Sequence, residues 1–211
     1  MDVTKENSVE ERNQGQHYEL LRELGDCYRS VGDFAQALRC YEEAAVLGPD
    51  EPGPYVGIGA AAFEKGLLDE AETAFRVARR LDVNCAGAYG GLAMVAQARG
   101  DYKEGFEMYL KCLELDTDNL TALLGLFQTS CQMGSFAKVT YYLELYLNMH
   151  PDDTSVMFSL AALYVKDGRF EESRKVLLDI LALDSGHKDA ADFLEEVEHN
   201  LTQIKQRGVR V

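Results

Sequence analysis

The histidine and cysteine side chains are the residues of this chain that could ligate a metal ion or act as nucleophiles. They are His17, His150, His187, His199, Cys27, Cys40, Cys85, Cys112 and Cys131. No histidine lies within four residues of another histidine or of a cysteine, and no two cysteines form a CxxC pair. Metal sites that can be read from a sequence have such close spacing, so the pattern predicts no metal. The odd number of cysteines predicts reduced thiols in a cytoplasmic protein.

Other features argue against catalysis and against several classes of ligand. The stretch GPYVGIGAAAFEKG at 53–66 contains several glycines, but it lacks the preceding strand and the final Lys-Ser/Thr of a phosphate-binding loop. The formal charge of −15 disfavours nucleic acid and anionic membrane surfaces. No apolar run reaches the roughly 18 residues needed to cross a bilayer. We therefore expect no enzyme, no cofactor, no nucleic-acid partner and no membrane insertion.

The elements of the fold are marked by a glycine that returns every 34 residues. These glycines are Gly32, Gly66, Gly100, Gly134 and Gly168. A residue that turns the chain between two helices often takes positive φ, which glycine adopts at little cost. A fixed period of this length is typical of a stacked array of helix–turn–helix repeats. The spacing therefore predicts an all-α solenoid.

The first repeat shows two amphipathic helices around Gly32. Leu21, Leu24 and Tyr28 recur every three to four residues before the glycine, which makes one apolar stripe. Asp33 and Asp50 follow the predicted helix ends and could cap the helices that come next. Two such helices joined by a short turn pack antiparallel.

The small and large residues of the repeat resemble the tetratricopeptide repeat (TPR) family. That family places an aromatic residue, a Leu-Gly pair and a tyrosine before the turn, and alanine, an aromatic residue, alanine and proline after it. The matching residues are Leu24-Gly25, Tyr28, Ala37, Tyr41, Ala44 and Pro49 in the first repeat, Tyr55, Ile58-Gly59, Ala71, Phe75 and Ala78 in the second, Tyr89, Leu92-Ala93, Gly105 and Tyr109 in the third, and Leu160-Ala161, Tyr164 and Phe170 in the fifth. The resemblance covers residues 17–187.

The resemblance implies an all-α right-handed superhelix of five repeats, at about 17–50, 51–84, 85–118, 119–152 and 153–187. Residues 1–16 are polar and acidic, so we expect a flexible segment there. Residues 188–204 suit a single helix that covers the last repeat, as the end of a solenoid requires. Residues 205–211 would form a basic tail.

The fourth repeat departs from the others at its closest helix contact. Phe127, Val139 and Tyr146 stand where the first repeat has Gly25, Ala37 and Ala44. Three bulky residues cannot fit the same helix separation, so we expect its two helices to be splayed or rotated.

The resemblance also implies a binding surface, because the first helices of TPR repeats line a concave groove in which partners bind. The candidate groove residues are Arg22, Asp26, Val56, Gly57, Ala60, Phe63, Gly87, Gly90, Gly91, Met94, Leu124, Gln128, Phe158 and Ala162. The four glycines among them lie within helices, where each costs about 1 kcal/mol relative to alanine. Either a partner backbone or a neighbouring helix of the chain approaches them closely, and the sequence leaves both explanations open.

The groove supports three hypotheses about function. The leading one is a non-catalytic scaffold or adaptor that binds a peptide or helix of a protein partner. The second is a chaperone of apolar export substrates, resembling the TPR chaperones of type III secretion. The third is a scaffold that assembles from copies of itself. A clamp for acidic chaperone C-termini is disfavoured, because Asp26, Gly57 and Gly91 occupy positions where that clamp has basic or amide side chains.

Overall fold

The computed structural model describes residues 3–134 and 136–208, and this part of the chain forms eleven helices and no strand. The helices are α1 (Val3–Ser30), α2 (Phe34–Leu47), α3 (Pro52–Glu64), α4 (Leu68–Leu81), α5 (Ala86–Ala98), α6 (Tyr102–Leu115), α7 (Leu120–Met133), α8 (Ala137–Met149), α9 (Thr154–Lys166), α10 (Phe170–Leu183) and α11 (Lys188–Gly208). The predicted all-α repeat fold is confirmed, and one periodic glycine lies between the two helices of each pair from α1–α2 to α9–α10.

The five periodic glycines turn the chain between the two helices of each repeat. All five have positive φ, from 68° at Gly134 to 82° at Gly100. No other residue of the described ranges has positive φ. Because an L side chain is strained in this conformation, the glycine period sets where each first helix ends.

The structure confirms one of the two helix caps that the sequence predicted, and the other is wrong. Asp33 precedes α2, and its carboxylate accepts a hydrogen bond from the Gln36 backbone N–H at 3.1 Å, as predicted. The predicted cap at Asp50 is wrong, because Glu51 precedes α3 and makes no side-chain cap. Pro52 occupies the first helical position, where the missing N–H of proline costs nothing.

Both ends of the chain differ from the expectation. α1 begins at Val3 rather than near His17, so most of the segment expected to be flexible is helical, while residues 1 and 2 lie outside the described residues. α11 continues to Gly208 and includes the start of the predicted tail, whose residues 209–211 lie outside the described residues. Thr202 stands 34 residues after Gly168, so no turn glycine ends this last helix.

The chain divides into two compact units, Met1–Thr129 and Ser130–Val211. In the first unit α1 packs against α2 and α3. Within the next two repeats, α3 packs against α4, and α5 packs against α6. In the second unit α9 packs against α8 and α10, and α11 packs against α10. The division falls within α7, the first helix of the fourth repeat. The expected splaying of α7 from α8 stays a prediction.

Each unit has its own core. In the first unit Phe75 packs with Ala62, Ala71, Leu92 and Val95. In the second unit Leu177 and Ile180 of α10 pack with Met157 and Ala161 of α9 and with Ala190 and Val197 of α11. α11 therefore covers the apolar side of α10.

Candidate binding groove of the first three repeats

A cavity of about 850 Å³ in the first unit lies between the first helices of the first three repeats. Six of the candidate groove residues line it, namely Arg22, Asp26, Val56, Gly57, Ala60 and Gly87. It is also lined by Gln14, Gly15, Tyr18, Glu19, Arg29, Tyr41, Leu47, Gly48, Glu51, Pro52, Gly53 and Cys85. We call this cavity the groove. The structure thus brings together predicted residues from α1, α3 and α5.

The α1 side of the groove is a polar wall. Arg22 pairs with Glu19 of its own helix at 3.0 Å. Arg29 reaches across to Glu64 of α3 at 2.6 Å, and this bridge fixes the guanidinium at one end of the wall. The side chains of Arg22 and Glu19 are about half exposed, so this pair is hydrated and can exchange partners.

Tyr41 of α2 forms part of the floor of the groove, although it belongs to a second helix. Its ring lies between α1 and α3, because an added Cβ at Gly25 or at Gly57 would come closer than 3.0 Å to it. The Tyr41 hydroxyl donates a hydrogen bond to Asp26 Oδ1 at 2.7 Å. Burial, and then this bond to a carboxylate, raises the pKa of Tyr41 well above 10, so the phenol is neutral. Asp26 is therefore oriented by the floor beneath it.

The α3 and α5 part of the groove is small and apolar. Val56 and Ala60 are half-buried, and an added Cβ at Gly87 would lie 3.1 Å from Val56 Cγ1. Gly90 occupies the same repeat position as Val56 and Arg22, which both line the groove. An added Cβ at Gly90 would meet only Cys112 Sγ, at the ordinary contact distance of 3.4 Å. Of the four candidate glycines Gly57, Gly87, Gly90 and Gly91, Gly90 is therefore the one at which a larger side chain fits most easily, although it does not itself line the cavity.

Gly57 and Gly91 have a structural role that Gly90 lacks. An added Cβ at Gly57 would overlap the Tyr41 ring, and one at Gly91 would overlap the Phe75 ring. Tyr41 and Phe75 are fully or almost fully buried, at 0% and 2% exposure, so neither ring has room to move away. These two glycines admit an aromatic ring from the preceding repeat, which is the second of the two explanations that the sequence left open.

The remaining candidates of the first unit do not line the cavity. Phe63 packs against the core around Phe75, and Met94 is half-buried. Leu124 is 42% exposed on α7. Gln128 is exposed, and its side-chain oxygen accepts a hydrogen bond from Gln97 at 2.9 Å.

The two candidates of the second unit lie on α9. The Phe158 ring stacks on His187, with centroids 5.9 Å apart, and packs against Phe193 of α11 at 5.6 Å. Ala162 is half-buried. Phe158 thus already has partners within its own unit.

Sequence reasoning missed Tyr18, Tyr41 and Cys85 as lining residues. Tyr41 matched the aromatic position of the repeat's second helix, and its buried ring reaches the edge of the groove because glycine at position 57 lets it pack between α1 and α3. Cys85 immediately precedes α5. The absence of a side chain at Gly57 was the signal that could have identified Tyr41.

The described residues contain no cluster of metal-ligating side chains, and two of the cysteine thiols have raised pKa values. No three His, Cys, Asp or Glu side chains among them converge on a point where a metal could bind. Burial raises the pKa of the Cys85 thiol, and it raises that of Cys112 to about 12. Both thiols are therefore protonated near neutral pH, whereas the nucleophilic form is the thiolate. No helix of the described ranges is long and apolar enough to span a bilayer.

Comparisons with known proteins agree with this repeat architecture. Two family models described as tetratricopeptide repeat match residues 22–83 and 86–119. The chain is similar to the cellulose synthase operon protein C of Xanthomonas axonopodis pv. citri (strain 306), with 28% identity over 170 residues. That match covers 77% of this chain and 11% of the relative. The chain therefore spans about a tenth of that relative's length.

Solved structures show the same fold over most of the chain. The structure of Pseudomonas aeruginosa pilF matches with a TM-score of 0.70 and 17% identity, covering 91% of this chain and 93% of the other. The first TPR of Spaghetti (RPAP3), bound to the HSP90 peptide SRMEEVD, matches with a TM-score of 0.51 and 25% identity. It covers 57% of this chain and 95% of the other. The solved structures agree in fold, and the two family matches, with the turn glycines and the paired helices, show that the chain belongs to the tetratricopeptide repeat family.

Proposed function

We propose that the chain is a non-catalytic scaffold or adaptor that binds a peptide or helix of a partner protein in the groove. The observation that supports this proposal is the groove of about 850 Å³ in the first unit, with a polar wall on one side and a small apolar surface on the other. TPR domains generally bind peptides or proteins, and one of the similar structures holds a peptide.

The groove suits a segment with both polar and apolar contacts. Arg22 can donate to backbone carbonyls of a bound segment, and Asp26 can accept from its backbone N–H groups. Val56 and Ala60 offer apolar surface to its side chains, as in other peptide-in-groove complexes. A cytoplasmic location belongs to the same proposal, and the five free cysteine thiols accord with it.

The proposal can be tested with peptides selected from a random display library against the intact chain. Binding of the selected peptides would be measured by fluorescence anisotropy for the native chain and two groove variants, Gly90→Leu and Val56→Glu. We expect at least about tenfold weaker binding for both, because Gly90→Leu adds a large side chain to α5 three residues after Gly87, which lines the groove, and Val56→Glu places a charge on the apolar surface of the groove.

A matched control is Glu107→Leu, which changes an exposed residue of α6 that does not line the groove. Circular dichroism would confirm that helical content is unchanged in all variants. Unimpaired binding by both groove variants would place the peptide site elsewhere and refute the proposal.

The two other roles predict different results. A self-assembling scaffold would give a mass that rises with concentration in light scattering, against 23.5 kDa for a single chain. Gly90→Leu would reduce that association only if a second copy occupied the groove. A chaperone of apolar export substrates would select peptides dominated by apolar residues, with weak dependence on the polar wall.

A further inference from the structure

A group of arginines lies on α4, outside the groove. Arg76, Arg79 and Arg80 occupy the last two turns of the helix and, with Thr73 and Val77, line a shallow cavity of about 510 Å³. We call the surface formed by Thr73, Arg76, Arg79 and Arg80 the arginine face. α4 contributes no residue to the groove, so the arginine face is a second, separate surface of the first unit.

Two acidic residues of α4, Asp69 and Glu72, are already engaged in ion pairs. The Glu72 carboxylate forms an ion pair with Arg76 Nη2 at 2.5 Å. It also pairs with Arg99, which lies in the turn between α5 and α6. Arg99 pairs with Asp69 as well, at 2.5 Å. The hydrogen bonds from Arg99 and then from Arg76 lower the pKa of Glu72, so it is ionised and has two cationic partners. These two carboxylates are therefore less available to the other arginines of α4.

The last two arginines lack an acidic partner among the described residues. The Arg79 guanidinium carbon lies 6.0 Å from the centroid of the Tyr89 ring, at the outer limit of a cation–π contact. Arg80 is exposed and forms no ion pair with any residue in the described ranges. These two arginines therefore lie side by side without an ion pair at the C-terminal end of α4, on a chain whose formal charge is −15.

The helix dipole accounts for only part of this pattern. Cations are favoured in the last turn of a helix, where Arg79 and Arg80 lie. The effect falls off within one turn, so it does not explain Arg76 or the cavity that the side chains share with Thr73.

We infer that the arginine face binds a short acidic segment of a partner protein. Guanidinium groups pair with carboxylates or phosphates through two parallel hydrogen bonds, and this pairing is stronger than that of neutral groups. From Thr73 to Arg80 the helix rises about 10 Å, which matches about three residues of an extended peptide. The negative charge of the rest of the chain repels a long polyanion, so a short acidic stretch fits better than nucleic acid.

The inference can be tested with three labelled peptides that share one flanking sequence and differ in a central stretch of four glutamates, four glutamines or two phosphoserines. Fluorescence anisotropy at low salt would measure their binding to the native chain and to the double variant Arg76→Ala/Arg80→Ala. We expect the glutamate peptide to bind and the glutamine peptide not to bind, with at least about tenfold weaker binding by the variant. Tighter binding of the phosphoserine peptide would identify phosphate as the preferred anion of the same site.

The control removes the same charge from another part of the first unit, with Arg39→Ala/Lys103→Ala on the exposed sides of α2 and α6. We expect this control to bind the glutamate peptide within twofold of the native chain. Equal losses in the two double variants would show only general charge attraction and overturn the inference. Equal binding of the glutamine peptide, tighter binding of a DNA oligonucleotide, or no binding of either anionic peptide at millimolar concentration would also overturn it.

Discussion

The two units of the chain differ in how one repeat packs against the next. In the first unit an aromatic ring of each second helix meets a glycine of the following repeat, in the pairs Tyr41–Gly57, Phe75–Gly91 and Tyr109–Gly125. In the second unit the same repeat positions hold Leu143 with Ser159 and Leu177 with Phe193. Where the second helix of a repeat carries an aromatic ring, the paired position of the next repeat is glycine. Where the second helix carries leucine, that paired position holds a larger residue.

This difference explains why helix-interior glycines concentrate in the first unit. Glycine within a helix costs about 1 kcal/mol relative to alanine, yet an added Cβ at Gly91 would overlap a buried ring. Overpacking of a core costs about 1–3 kcal/mol, so glycine is the more stable choice at that position. The ring of Phe75 cannot shift the other way, since an added Cβ at Gly59 would lie 2.7 Å from it.

Among the changes that test this comparison, Gly91→Ala should have the largest effect on the free energy of unfolding. We expect the free energy of unfolding to fall by about 2 kcal/mol, because the added methyl group overlaps the Phe75 ring. The neighbouring change Gly90→Ala should raise it by up to about 1 kcal/mol, because the methyl group has room there and alanine favours the helix. Urea unfolding followed by circular dichroism measures both. A stabilised Gly91→Ala variant would contradict the role assigned to this glycine.

Changing the ring to leucine should make the first unit tolerate alanine, as the second unit tolerates larger residues. We expect Phe75→Leu and Gly91→Ala to be coupled, so that the double variant loses about 1–2 kcal/mol less than the sum of the single variants. The same unfolding measurements give this coupling. The pair Phe75→Leu and Gly90→Ala serves as the control, and an equal coupling in both pairs would refute a direct contact.

The smallest expected effect concerns Tyr109, whose ring carries a titratable hydroxyl that Phe75 lacks. Burial raises the pKa of Tyr109 to about 12, and its hydroxyl donates to Gln97 Oε1 at 2.7 Å. An unfolded tyrosine titrates near 10, so this part of the stability is complete below pH 10 and is lost as the pH rises towards 12. We expect Tyr109→Phe to reduce the alkaline loss by about 1 kcal/mol at pH 11. Unfolding curves at pH 8 and pH 11 measure this change, and an unaltered pH dependence would contradict it.

The sequence predicted the fold well, because each repeat satisfies its own local requirements. The turn glycines need positive φ, the apolar stripes have helical spacing, and Asp33 caps the helix that follows it. The ends were less well predicted. Neither the start of α1 nor the continuation of α11 past Thr202 is marked by a local signal as clear as a turn glycine.

The groove was predicted in part. Arg22, Asp26 and Val56 line it as the repeat positions indicated, because helical spacing determines which residues share a face. The floor formed by Tyr41 depends on a contact between two repeats, and repeat positions alone do not reveal that contact. The pairing of Phe158 with His187 and Phe193 likewise depends on α11 packing in the second unit.

By itself the sequence determined the period, the helices and the turns of this protein, since these depend on backbone preferences and on spacing along one chain. It also determined that several glycines lie within helices. Only the tertiary structure decided which of them are needed for packing. Gly57 and Gly91 face rings that come from another helix, whereas Gly90 faces open space and Cys112. A contact between residues distant in sequence is fixed by how the helices pack, and that packing separates a structural glycine from one at which an added side chain has room.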